Sequence, residues 1–222
     1  MTPNDILSRE QDAKLAKLLR TPAFMAVAGA LPGIFAATTF ENGIALAAVA
    51  IVTVAVLAII EGPVRFLCGR YATLPVMLTV SVTVTTLLGY ALRIVDPVVF
   101  DALGYYLPLT GVSALAALVS SGALGRADDG GRLPLGARVS RAACGACCAG
   151  LALAAVGLVA SVLGTGEVLG ATVPGVSASP LAIFVKPSGA LLVVALVAAV
   201  LQAFARERPA APAPESPEGG ER

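Results

Sequence analysis

Six long apolar runs dominate this sequence of 222 residues, near 23–40, 43–61, 72–94, 100–122, 142–164 and 187–205. Crossing about 30 Å of hydrocarbon takes roughly 20 apolar residues in a helix. The first run is slightly short and the rest fit. In lipid every backbone polar group must be satisfied within the segment or by protein, so each run reads as a helix. The composition agrees, with 57% hydrophobic and 13% charged residues and a mean hydropathy of +0.88. Soluble domains run nearer 45–50% apolar and about 25% charged. The chain reads as an all-α integral membrane protein.

Charge sets the expected orientation. With six spans and a cytoplasmic N-terminus, the inner side holds Arg9, Lys14, Lys17, Arg20, Arg65, Arg70, Arg126, Arg132, Arg138, Arg141, Arg206, Arg208 and Arg222. The outer side holds only Arg93 and Lys186. Excess Lys and Arg mark the cytoplasmic loops, so both termini are expected in the cytoplasm of a bacterial inner membrane. Tyr90, Phe100, Tyr105 and Tyr106 cluster at the expected outer surface, where amphipathic rings prefer to sit. A net charge of +1 gives no pull toward nucleic acid.

The segments outside the spans divide simply. Residues 1–21 place Leu7, Leu15, Leu18 and Leu19 on one face of a charged stretch, which predicts a cytoplasmic amphipathic helix on the membrane surface. Residues 125–141 are Gly-rich and polar and read as an inner loop. Residues 165–187 are more apolar and predict a short helix against the outer face. The tail, 206–222, is rich in Pro, Glu and Gly and predicts disorder.

Two runs carry a proline near their centre. The first has Pro32 and Gly33 within AGALPGIFAATT, and the fourth has Pro108 and Gly111 within FDALGYYLPLTGVSALAALVSSG. Proline removes a backbone donor and clashes with the preceding turn, so both helices are expected to break at these prolines. Three spans precede residue 97 and three follow, and the first of each three is the interrupted one. That arrangement predicts two inverted three-helix repeats, about 23–94 and 100–205, within a membrane domain of 22–205. Paired interruptions of this kind point to a midplane site. Proline is also simply frequent in membrane helices.

Candidate chemistry is sparse. The chain has no His, the commonest general base and metal ligand. Glu41, Glu61, Asp96, Asp101 and Glu167 all fall near the ends of apolar runs, so no carboxylate is expected at mid-span. No nucleophile–base pair or phosphate-binding loop is present. Thr79, Ser81, Thr83, Thr85 and Thr86 put hydroxyls through the third span, where back-bonding and packing are the favoured role over an ion path. Cys144 and Cys147 have redox or metal spacing, and with Cys68 and Cys148 the thiols number four, enough for a [2Fe–2S] cluster. Cysteine in a membrane helix also packs like alanine, which is the favoured reading.

The stretch DPVVFDALGYYLPL (96–109) resembles a segment of the membrane subunits of the Rnf electron-transport complex and the sodium-translocating NADH:quinone reductase. AGALPGIFAA (28–37) and GLVASVLGTGEVLG (157–170) are similar to two further stretches of that family, and the likeness extends over 12–205. The resemblance implies six spans in two inverted halves, with both termini cytoplasmic as in the Rnf E type or the reductase D type. It implies a sister six-helix protein, further redox partners and a shared core coupling electron transfer to ion translocation. In the family a cysteine in each broken helix helps to hold an iron–sulfur cluster between the sisters. Here those positions fall on Leu31 and Ala114, which cannot ligate iron. The family's acidic motif after the fourth span is replaced by residues 118–121, and its Arg-Glu pair by Ala160 and Ser161. The expectation is a divergent, non-catalytic subunit with no cluster at the family position and no other cofactor. The alternative is a stand-alone small inverted-repeat transporter or channel that kept the fold and lost the redox role.

Overall fold

A computed structural model describes residues 18–19, 21–125, 133–168, 171–172, 181–184 and 186–206. The expected N-terminal amphipathic segment, except for 18, 19 and 21, and the tail beyond Arg206 lie outside these residues. The described chain is predominantly helical: α1 (Pro22–Ala30), α2 (Phe40–Gly69), α3 (Ala72–Val95), α4 (Pro97–Leu103), α5 (Tyr106–Thr110), α6 (Ala114–Ser120), α7 (Leu135–Val159) and α8 (Pro187–Arg206). Helix α7 continues as a π-helix over Ala160–Thr165. Among the described residues four helices are long and apolar enough to cross a membrane: α2, α3, α7 with its π extension, and α8.

The first and fourth apolar runs are not single long helices. Helix α1 has nine residues, about half a bilayer at 1.5 Å each. It is followed by tight turns over 31–36 that contain Pro32 and Gly33. The fourth run is cut into α4, α5 and α6. Its breaks fall at Gly104–Tyr105 and Gly111–Ser113, and Pro108 lies inside α5. The expected break at Pro108 is thus displaced to either side. Proline in the first turn of a helix lacks only an N–H that has no intrahelical partner, so α5 accommodates it without interruption.

Helix α2 also runs eight residues beyond the expected end of its apolar run and carries Glu61, Pro63 and Arg65 within it. The chain turns at Gly69, whose φ of 67° and ψ of −179° are open to glycine. It returns as α3, so that Met77 shares a core with Val54, Leu57 and Ala58 of α2. Helix α7 starts at Leu135, inside what reads from sequence as a loop, and so takes Arg138 and Arg141 into a helix. Between α7 and α8 the described residues form a two-residue hairpin, Glu167–Val168 paired with Ala171–Thr172, and a 3-10 turn over Ala182–Phe184. The short helix expected between residues 165 and 187 is reduced to that single turn among the described residues.

Helix α7 is the centre of the bundle, and small residues let its neighbours in. Ala142, Gly145, Ala146, Ala149, Gly150, Leu153, Val156 and Gly157 form its buried stripe. Gly145 faces Met25 of α1, Gly150 faces Ala47 and Ile51 of α2, and Gly157 meets Gly43 of α2 backbone to backbone. Lipid gives helices no hydrophobic reason to associate, so such close approach is where their packing energy arises.

Candidate functional site

The two interrupted stretches come together. Thr21 starts α1 by accepting the Phe24 N–H at 3.4 Å. The helix stops at Ala30 because Pro32 offers no N–H to the Ala28 carbonyl. The N–H groups of Gly33 and Ile34 turn back to the Ala30 carbonyl instead, at 2.9 and 3.1 Å. In the second stretch the N–H groups of Gly111, Val112 and Ser113 donate to the carbonyls of Pro108, Leu109 and Thr110 at 3.1–3.2 Å. Ser113 then starts α6 by accepting the Ala116 N–H. Phe35 of the first stretch stacks on Tyr106 of the second, with ring centroids 6.4 Å apart and planes 26° apart. Gly29 lies directly against Leu115.

Hydroxyls from full-length helices satisfy backbone groups that the interruptions and ends release. Ser81 of α3, fully buried, donates to the Gly111 carbonyl at 2.6 Å. Gly111 is required there: a β-carbon would fall 2.7 Å from Thr85 Oγ1 and 3.1 Å from the Ser81 carbonyl oxygen. Ser161, in the π-helical turn, accepts the Phe40 N–H at the start of α2 at 2.7 Å. Thr79, Thr83, Thr85 and Thr86 bond back to carbonyls of α3 itself, and Thr73 donates to the Gly69 carbonyl at the end of α2. Of the hydroxyls from Thr79 to Thr86, only Ser81 crosses to another element. Ser81→Ala will leave the Gly111 carbonyl buried without its donor and cost about 1 kcal/mol. Thermal unfolding in mild detergent reads this, with Thr83→Ala on the exposed face as an unchanged control.

The residues at the interruptions do not fit a metal cluster. Leu31 and Ala114 are both exposed, and neither carries a ligating atom. All four cysteines are free: Cys144 and Cys147 are exposed, Cys148 is buried and Cys68 is half-buried. Among the described residues no three His, Cys, Asp or Glu groups come together in a way that could hold a metal ion.

A second polar site lies at the opposite end of the bundle. Glu61 is 4% exposed, buried within the protein near the end of α2. It accepts from Arg65, one turn along α2, at 3.2 Å, and from Arg138 at the start of α7. Gly122, with a φ of 71°, closes the chain over this cluster after α6, and a β-carbon there would fall 2.8 Å from Glu61 Oε1. Two guanidiniums face one carboxylate, and Arg138 Nε is buried with no partner among the described residues. Charges removed from water are held by pairing, so this cluster pins α2, α7 and the end of α6 together.

No known protein family, curated protein or solved structure matches this chain.

The sequence places the first interruption at Pro32 and Gly33, displaces the second, and does not report the ionic cluster. The available signal was Glu61 and Arg65 at helical i, i+4 spacing beside a run of apolar residues. Its partner Arg138 stands 77 residues away, and no local pattern reports it.

Proposed function

We propose that this chain is a membrane subunit of an Rnf-like or sodium-reductase-like electron-transport complex. It meets a sister protein at the face where its interrupted helices converge, and it helps to form the core that couples electron transfer to ion movement. It holds no iron–sulfur cluster of its own at that face. The carrying observation is that Leu31 and Ala114, the positions that the resemblance assigns to cluster ligands, both stand exposed beside helix interruptions. Leu31, Phe35, Leu109 and Val112 add exposed apolar surface around them. Backbone interrupted at membrane depth is tolerated only where protein or a cavity covers it, which favours a partner over lipid at this face. In this reading the chain spans six times as two inverted repeats, counting each interrupted stretch as one crossing, with both termini cytoplasmic.

Co-purification from native membranes in mild detergent, followed by mass spectrometry and iron analysis, tests the reading. The expected result is recovery with a homologous six-helix protein and with partners bearing flavin or ferredoxin-like domains. Leu31→Arg at the exposed break will cut that recovery at least tenfold while the chain remains monodisperse, because an unpaired charge buried at an interface costs several kcal/mol. A chain that purifies alone or only as a homodimer favours the stand-alone transporter and overturns the proposal. A stoichiometric iron–sulfur spectrum from the isolated chain overturns the cluster-free part.

A further inference from the structure

Helix α3 and the α4–α5 segment line an open cavity of about 350 Å³. Its volume falls within the range of small-molecule and lipid-chain sites, about 300–1,000 Å³. Gly89, Phe100 and Leu107 give it an apolar wall. Gly89 lets α5 pack closely on α3 at one side of it: a β-carbon there would fall 2.9 Å from Leu107 Cδ2. One full charge lines it, Arg93, whose guanidinium carbon stands 5.7 Å from the centroid of the Phe100 ring. Among the described residues Arg93 has no carboxylate partner. The nearest acid in sequence, Asp96, uses its Oδ1 to accept the N–H groups of Val98 and Val99 at the start of α4.

The surroundings identify the solvent that this cavity meets. Ile94, Val95 and Val98, next to Arg93 in the chain, are 86%, 82% and 76% exposed. Apolar side chains this exposed suit contact with lipid, and the end of a long apolar helix is where it would meet the headgroup region. The phenols of Tyr90 and Tyr105 line the same cavity and can donate to phosphate or ester oxygens. An apolar wall beside a cation that has no carboxylate partner among the described residues is complementary to an amphiphile with an anionic head.

We propose that the cavity between α3 and α4–α5 binds an anionic glycerophospholipid, with an acyl chain against Gly89, Phe100 and Leu107 and its phosphate on Arg93. The lipid would brace α4–α5, two short helices of seven and five residues, against α3.

The chain supplies its own probe. It has no Trp and four Tyr, of which Tyr90, Tyr105 and Tyr106 lie at this end. Tyrosine emission of the full chain is measured in phosphatidylcholine vesicles containing brominated phosphatidylglycerol, and separately in vesicles containing brominated phosphatidylcholine. The expected result is stronger quenching by the brominated phosphatidylglycerol at equal bromine content. Arg93→Gln will lower that preference about fivefold, the loss of one basic contact with an anionic headgroup. Arg93→Lys, which keeps the charge, will retain most of it, and size-exclusion chromatography establishes that each variant is folded. Equal quenching by the two lipids means general lipid contact or an uncharged occupant and overturns the proposal. Absence of quenching by either, as when a second copy or another protein covers the cavity, overturns it too. So does a preference that survives in Arg93→Gln.

Discussion

Glu61→Gln will destabilise the folded chain by about 3–5 kcal/mol, the cost of removing one partner from a buried ion pair. The carboxylate is the only counter-charge described within its cluster, and Arg138, whose side chain is 15% exposed, has little water to fall back on. Amide in place of carboxylate keeps the volume and one acceptor, so the loss measures charge and not packing. The double variant Glu61→Gln, Arg138→Gln removes both charges and will recover most of the stability. A double-mutant cycle read by thermal or denaturant unfolding in mild detergent isolates this coupling. Glu61→Gln that unfolds with wild-type stability shows that water reaches the cluster and that α2, α6 and α7 are held by packing alone.

The second large effect is expected at the crossing of α2 and α7. A β-carbon on Gly157 would fall 2.5 Å from the Thr39 carbonyl oxygen and 3.2 Å from the Gly43 α-carbon. A β-carbon on Gly43 would fall 2.8 Å from the Leu153 carbonyl oxygen. These are backbone atoms, which cannot swing aside as a side chain would. Overpacking costs typically about 1–3 kcal/mol, and a site bounded by backbone lies at the top of that range or above it. Gly157→Val will therefore separate the helices and take the Phe40–Ser161 hydrogen bond with them, because that bond lies one turn along the same contact. Gly136→Ala, in the same helix but with nothing within 4 Å, is the control and will be neutral or stabilising by up to about 1 kcal/mol. Equal stability of the two variants would mean that α2 and α7 separate without cost.

These sites differ in how far a sequence of this kind makes them legible. Apolar length located the four long helices, and Pro32 with Gly33 located the first interruption, because both are local properties of the chain. Pro108 misplaced the second interruption because the effect of proline depends on its position within a helix. At the third residue of α5 it costs no hydrogen bond. Charge ends an apolar run in sequence, so the runs stop short of the ends of α2 and α7. Glu61 and Arg138 neutralise one another across 77 residues, so each helix carries its charge inward. The Ser81–Gly111 bond is hidden for the same reason, since its partners are 30 residues apart and meet only after α3 and α5 have packed.

The turn at Gly69 has a consequence for how the chain is made. Helices α2 and α3 are joined by two residues, Arg70 and Tyr71. Two residues reach no more than about 7 Å, far less than the hydrocarbon thickness of a bilayer. One of these helices cannot enter the membrane while the other waits at the far surface. The two helices can therefore cross only as an antiparallel pair, and the orientation of α2 fixes that of α3. Lengthening this turn with a flexible insert would free α3 from an orientation that the native link imposes.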